Sequence, residues 1–100
     1  MILASALTLP CGAVLNNRIA KAAMTEGLAD THGAPTPELQ RLYGIWSDGG
    51  AGLQISGNIH IDADHLERPG NVFFGGQPDE AMMDALKLWT KAATRNGNHF

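Results

Sequence analysis

The sequence has a single cysteine, no run of basic residues and no long apolar stretch. Each absence excludes something. With Cys11 alone, no disulfide framework can form within the chain, and a reducing compartment is compatible; its position in the "PCG" turn predicts a small, half-buried thiol. Seven scattered Lys and Arg under a net charge of −3 leave no electrostatic footprint for nucleic acid or for an anionic membrane surface. No segment approaches the roughly 20 apolar residues of a membrane span. The opening "MILASALTLP" lacks the positive leader and long apolar core of a signal peptide, so a cytoplasmic location is the default expectation.

What is present describes a globular chain. An apolar fraction of 44% against 17% charged, over 100 residues, is enough for one modest domain with a core. "LTLPCGAVL" places two short apolar runs around Pro10, Cys11 and Gly12, which predicts a hairpin. "RIAKAAM" follows, with Ile19, Ala20, Ala22 and Ala23 small enough for crowded backbones, and is read as a strand. "TPELQRLYGIWSDGG" then supplies a cap at Thr36, a proline suited to the first helical turn at Pro37, and glycines at its end. Leu39, Leu42, Tyr43 and Trp46 form one stripe at helical spacing, so a helix of about three turns is expected.

The period changes to two in "AGLQISGNIHID", where Leu53, Ile55, Ile59 and Ile61 alternate with Gln54, Ser56, Asn58 and His60. Strand length places the end of that strand near Ser56 or Gly57. "ADHLERPGNVFFGGQ" reads as a loop. Met82, Ala85, Leu86, Trp89, Ala92 and Ala93 give a second helical stripe with Asp79 and Glu80 at its start and Lys87, Lys91 and Arg95 toward its end, the signs a helix dipole favours; Gly97 is expected to stop it. The order is hairpin, strand, helix, strand, helix and the start of a third strand. That is a parallel α/β layout. Because two units cannot cover both faces of a parallel sheet, residues 1–100 are expected to be part of a larger domain, interrupted after the second helix.

The candidate site is at the strand tips. In "NNRIAKAAMTEG" an apolar strand ends in Met24, Thr25 and Glu26 with Gly27 behind them, and a hydroxyl and a carboxylate at a tip are not what core closure requires. A second tip, Gly57 and Asn58, would lie beside it at the carboxyl end of the sheet, where ligands bind in parallel α/β folds. Residue chemistry alone leaves the ligand open. His60, Asp62, Asp64 and His65 lie close in sequence but lack a recognised metal-ligand spacing, and a polar loop accounts for them better. His32 and His99 fit no nucleophile–base pattern, and "GGAG" and "FFGG" complete neither a dinucleotide fingerprint nor a phosphate loop.

"LTLPCGAVLNNRIAKAAMTEGLAD" and "PTPELQRLYGIWSDGGAGLQISGNIHID" together resemble the amino-terminal third of the old yellow enzyme family, the FMN-dependent NAD(P)H:flavin oxidoreductases and ene-reductases. The Asn-Arg-Ile start of the first strand, its Met-Thr tip and the "GGAGL" lead-in to the second carry the resemblance. It implies the amino-terminal portion of a (β/α)8 TIM barrel: an N-terminal β-hairpin, two βα units and the start of a third strand. It implies FMN, with NAD(P)H as reductant and a small-molecule substrate, and it implies cofactor contacts for Ala23, Met24 and Thr25 at the first tip and for Asn58 at the second. Thr25 would approach the polar O4/N5 edge of the flavin and raise its potential. Some relatives have proline where Ala23 stands and a redox-tuning cysteine where Thr25 stands, so the thiol-tuned subgroup is not indicated here. In the implied reaction NAD(P)H reduces FMN, which passes hydride to an activated alkene. The pyrimidine-contacting glutamine, the substrate-binding pair and the proton donor would all lie beyond Phe100, so residues 1–100 alone are not expected to catalyse. The reading from another class is a small, non-enzymatic α/β interaction module, covered by its own dimer.

Overall fold

A computed structural model describes all residues, Met1 to Phe100. A single 3₁₀ turn over Ile2–Ala4 leads into β1 (Leu7–Thr8) and β2 (Val14–Leu15), which pair antiparallel with Leu7 opposite Leu15. This is the expected hairpin. Cys11, at its turn, is exposed rather than half-buried, as are Pro10 and Gly12 on either side of it, so no packed neighbour covers the thiol.

β3 (Ala20–Lys21) pairs in parallel with β4 (Leu53–Gln54), Ala20 opposite Leu53. A bridge from Leu53 to His99 then adds the start of a third parallel strand, with Gln54 N–H donating to His99 O (2.9 Å) and His99 N–H to Gly52 O (3.0 Å). The strands thus lie in the order β3, β4, His99. Each crossover is a helix, α1 (Pro37–Asp48) or α2 (Glu80–Ala93). Parallel neighbours joined by helices are the expected βα units.

Both helices begin as their sequences dictate. Thr36 Oγ1 accepts from Leu39 N–H with Pro37 in the first turn, and Asp79 Oδ1 accepts from Met82 N–H. Each cap satisfies an amide that the helix itself leaves unpaired. α2 ends at Ala93, before Gly97, and that glycine instead turns the chain at φ +81° toward the third strand. The core is aromatic and lies between the helices. Leu39, Tyr43, Val72, Trp89 and Ala93 are buried together, with Trp46, Leu86 and Phe100 packed against them. The Tyr43 ring meets those of Trp46, Trp89 and Phe100 edge-on at 5.1, 5.3 and 5.3 Å, a geometry the ring quadrupoles favour.

Two features depart from the sequence reading. The alternation around β4 buries its polar member: Gln54 is 1% exposed whereas Ile55 is 47% exposed. Gln54 faces the helix layer, and its Nε2 donates to Tyr43 O (3.1 Å) on α1 and Ala93 O (2.9 Å) on α2, so an amide bridges the two helices where an aliphatic side chain would leave two carbonyls without that donor. Second, the segment read as a loop before α2 contains β6 (Val72–Phe73), which pairs in parallel with β5 (Ile59–His60). Two residues flanked by Pro69, Gly70, Gly75 and Gly76 are too short to show a period, and it is the ladder to β5 that makes them a strand.

Candidate functional site at the paired strand tips

The resemblance motifs have structural work at the strand starts. Asn17 Nδ2 donates to Gly50 O (2.7 Å), while its Oδ1 accepts from Ile19 N–H (3.0 Å) and Gly52 N–H (2.9 Å). One amide therefore ties the lead-in of β3 to the "GGAGL" lead-in of β4. Arg18 braces the opposite side, its guanidinium donating to Ser5 Oγ (3.1 Å) and Ala6 O (3.3 Å). With their starts fixed together, the two strands run side by side toward their carboxyl ends.

At those ends the four residues singled out from sequence fall on neighbouring segments. Asn58 N–H donates to Thr25 Oγ1 at 3.4 Å. Ala23, Met24 and Asn58 are exposed, and Thr25 is half-buried. The tips approach closely only because position 57 is glycine: a Cβ there would fall 2.2 Å from Met24 O, inside any tolerable contact. Arg68 reaches over from the long loop to donate to Thr25 O (2.9 Å). The Thr25 hydroxyl accepts at this tip but donates to no protein group. Its proton is free for a ligand.

Beneath the tips lies a pair that sequence reasoning did not assign. The Tyr43 hydroxyl donates to Glu26 Oε1 on the first tip and accepts from Gly57 N–H (3.1 Å) on the second. Tyr43 is fully buried. Burial, and then the hydrogen bond to Glu26, push its phenol well above the usual tyrosine range, opposed by the Gly57 N–H. Lys21 Nζ stands 4.7 Å from the Trp46 ring centroid and 5.3 Å from that of Tyr43; its burial there lowers its pKa, against the pull of the Glu26 carboxylate. A signal for this pair existed in the sequence. The only tyrosine of the chain sits on an apolar helical stripe, and a buried phenol needs a hydrogen-bond partner.

A cavity of about 740 Å³ lies elsewhere, between the 30–35 loop, β6 and the start of α2, and none of Ala23, Met24, Thr25 and Asn58 lines it. Its carboxylates are occupied by the backbone around them: Asp30 accepts from His32 and Ala34 N–H, Asp62 from Asp64 N–H, and Asp79 caps α2. Asp62 also pairs with His65 Nδ1 at 2.6 Å, both side chains exposed. These groups build turns. His99 lies apart, its Nε2 3.1 Å from Val14 O. No helix is long and apolar enough to cross a membrane.

No family profile matches the chain. It is similar to curated proteins named NADH-dependent flavin oxidoreductase: iliE of Neonectria sp. (strain DH2), 34% identical over 92 residues, covering 91% of this chain and 12% of that protein, and iccE of Talaromyces variabilis, 31% identical over 99 residues, covering 95% of this chain and 23% of that protein. Among solved structures, the old yellow enzyme homologue from Zymomonas mobilis superposes with a TM-score of 0.78 at 26% identity, over 100% of this chain and 27% of that one. Morphinone reductase in complex with tetrahydroNAD shares the fold, with a TM-score of 0.75 at 24% identity, over 96% of this chain and 24% of that one. The chain therefore spans about a quarter or less of each of these relatives. Along that span the resemblance to the old yellow enzyme family holds in sequence and in fold, and the architecture is that of the opening portion of its (β/α)8 barrel.

Proposed function

We propose, from this old yellow enzyme kinship, that residues 1–100 form part of the cofactor-binding domain of an FMN-dependent, NADH-using oxidoreductase of the ene-reductase kind. In this reading Ala23, Met24, Thr25 and Asn58 line the flavin ring. The residues present fit such a group. Exposed Ala22, Ala23 and Met24 offer a small-residue apolar platform, and the Thr25 hydroxyl beside it offers a proton with no acceptor in the protein. A tricyclic ring with apolar faces and a polar rim needs both. FMN, when bound, supplies two-electron hydride chemistry between a nicotinamide and an activated alkene; the chain's own contribution is to orient the ring and stabilise charge along its polar edge.

The observation that carries the reading is the juxtaposition of Thr25 Oγ1 with the Asn58 N–H at two adjacent strand ends. NADH is favoured over NADPH because the curated relatives are named for NADH. The test is to express the whole gene product and examine it for bound FMN. A yellow protein that releases FMN on denaturation and is bleached anaerobically by NADH is the expected result. A folded, colourless product with no affinity for added FMN overturns the proposal.

A further inference from the structure

The site described above rests on Tyr43, a residue that touches neither the proposed ligand nor solvent. Its hydroxyl is the only atom of α1 that bonds to both tips, donating to the Glu26 carboxylate on one and accepting from the Gly57 N–H on the other. Glu26 adjoins Thr25, and Gly57 adjoins Asn58. A single phenol oxygen is thus bonded to the neighbour of each residue whose groups meet in the Thr25 Oγ1 and Asn58 N–H contact. Nor can that oxygen drift. The ring is hemmed edge-on by Trp46, Trp89 and Phe100, and the Tyr43 carbonyl is held by Gln54 Nε2 at 3.1 Å.

We infer that Tyr43 is a positioning residue: its hydroxyl clamps the two strand ends so that the Thr25 hydroxyl and the backbone at Asn58 meet the flavin edge together. The inference rests on the proposed flavin site and goes beyond it by assigning the spacing of that site to α1. A carboxylate and an amide N–H on one phenol oxygen suit the task. The phenol proton is committed to Glu26, leaving the oxygen lone pairs to face the Gly57 amide, so both bonds have a fixed sense. A phenylalanine would keep the packing and lose both.

Two variants test this in the whole gene product loaded with FMN. Tyr43→Phe removes the clamp and retains the ring; Glu26→Gln retains an acceptor for the phenol through its amide oxygen. The readouts are the position of the visible flavin bands, the two-electron potential and the FMN dissociation constant, with amide exchange at Gly57 as a cofactor-free measure. Expected for Tyr43→Phe are displaced bands, a changed potential, FMN binding weakened on the order of threefold to tenfold as both hydrogen bonds of the clamp are lost and the tips shift, and faster exchange at Gly57. Glu26→Gln, which keeps the clamp, should leave the bands close to those of the unaltered protein, and bands displaced as far as in Tyr43→Phe would overturn the inference. A residue that only stabilised the fold would lower the fraction of protein carrying flavin but leave the bands of bound flavin unmoved. Bands and potential unchanged in Tyr43→Phe overturn the inference while the flavin reading stands. An unaltered protein that binds no FMN overturns both.

Discussion

Tyr43 titrates under unusual constraint, and because it is the only tyrosine of the chain its phenolate absorbance reports it alone. Burial and the bond to Glu26 raise its pKa above the ordinary 10.0. The sign follows from linkage: a group whose folded pKa is raised contributes stability that is intact below the unfolded value and lost as pH rises beyond it, because the unfolded chain ionises first. Phenolate should therefore appear only above about pH 10 and together with loss of the helical circular dichroism signal. Reversible ionisation at the ordinary value in a chain that stays helical would refute the buried pair. Thr25 makes the second prediction at this scale. In flavin-loaded protein Thr25→Ala should remove one hydrogen bond, about 0.5 to 1.5 kcal/mol, and lower the flavin potential, measured by equilibration with a dye of known potential; an unchanged potential would mean that the hydroxyl points away from the ring. Tip residues were legible because a hydroxyl at the end of an apolar strand is out of place in a core. Glu26 was not assigned, because its partner is 17 residues away on a helix and nothing in local spacing announces it.

Elements were legible to the degree that local chemistry decides them. Thr36 with Pro37 and Asp79 with Glu80 announce their helices because capping is local. The hairpin around Pro10 and Gly12 is equally local. β6 and the inward turn of Gln54 are not, since a two-residue strand exists only through its partner and the buried face of β4 is chosen by the carbonyls of α1 and α2 above it. Asn17 stands between the two cases: the motif was recognisable as family-like, yet its role as a tie between strand starts needs the fold. Asn17→Ala deletes three hydrogen bonds, to Gly50, Ile19 and Gly52. Gly52 N–H keeps a second acceptor in Ile19 O (2.9 Å), which limits the cost to about 1 to 2 kcal/mol. The measurement is amide exchange at Ile19 and Gly52, which should quicken by on the order of tenfold. Unaltered exchange at both would show that the ladder alone holds the strand starts in register.

At the scale of the whole molecule, surface area decides between a self-sufficient module and part of a larger enclosure. The chain exposes 6295 Å², against about 5,500 Å² for a compact monomer of this size. Its radius of gyration is 14.5 Å, against about 13 Å for 100 compact residues. The excess has a location. Met24, at the tip of β3, and Ile55, next to the inward-facing Gln54 and so on the opposite face of the sheet, are 48% and 47% exposed, and both lie off the aromatic core between α1 and α2. One face of the parallel sheet is thus covered by helices while its other face carries uncovered aliphatic side chains, contrary to how parallel sheets are normally found. Burying that face requires further strands or a second copy. Residues 1–100 by themselves should therefore unfold over a broad temperature range, bind a hydrophobic dye such as ANS before melting, and lose that dye binding when the remaining strands of a barrel are supplied on the same chain. Calorimetry with equal calorimetric and van't Hoff enthalpies at monomer concentration, without dye binding, would instead identify a domain complete in itself. A sharp transition whose midpoint rises with concentration would point to a dimer covering the face, since association then stabilises the folded form by mass action. Of the three outcomes only the first is compatible with strand ends that serve as part of a flavin cradle in a closed barrel.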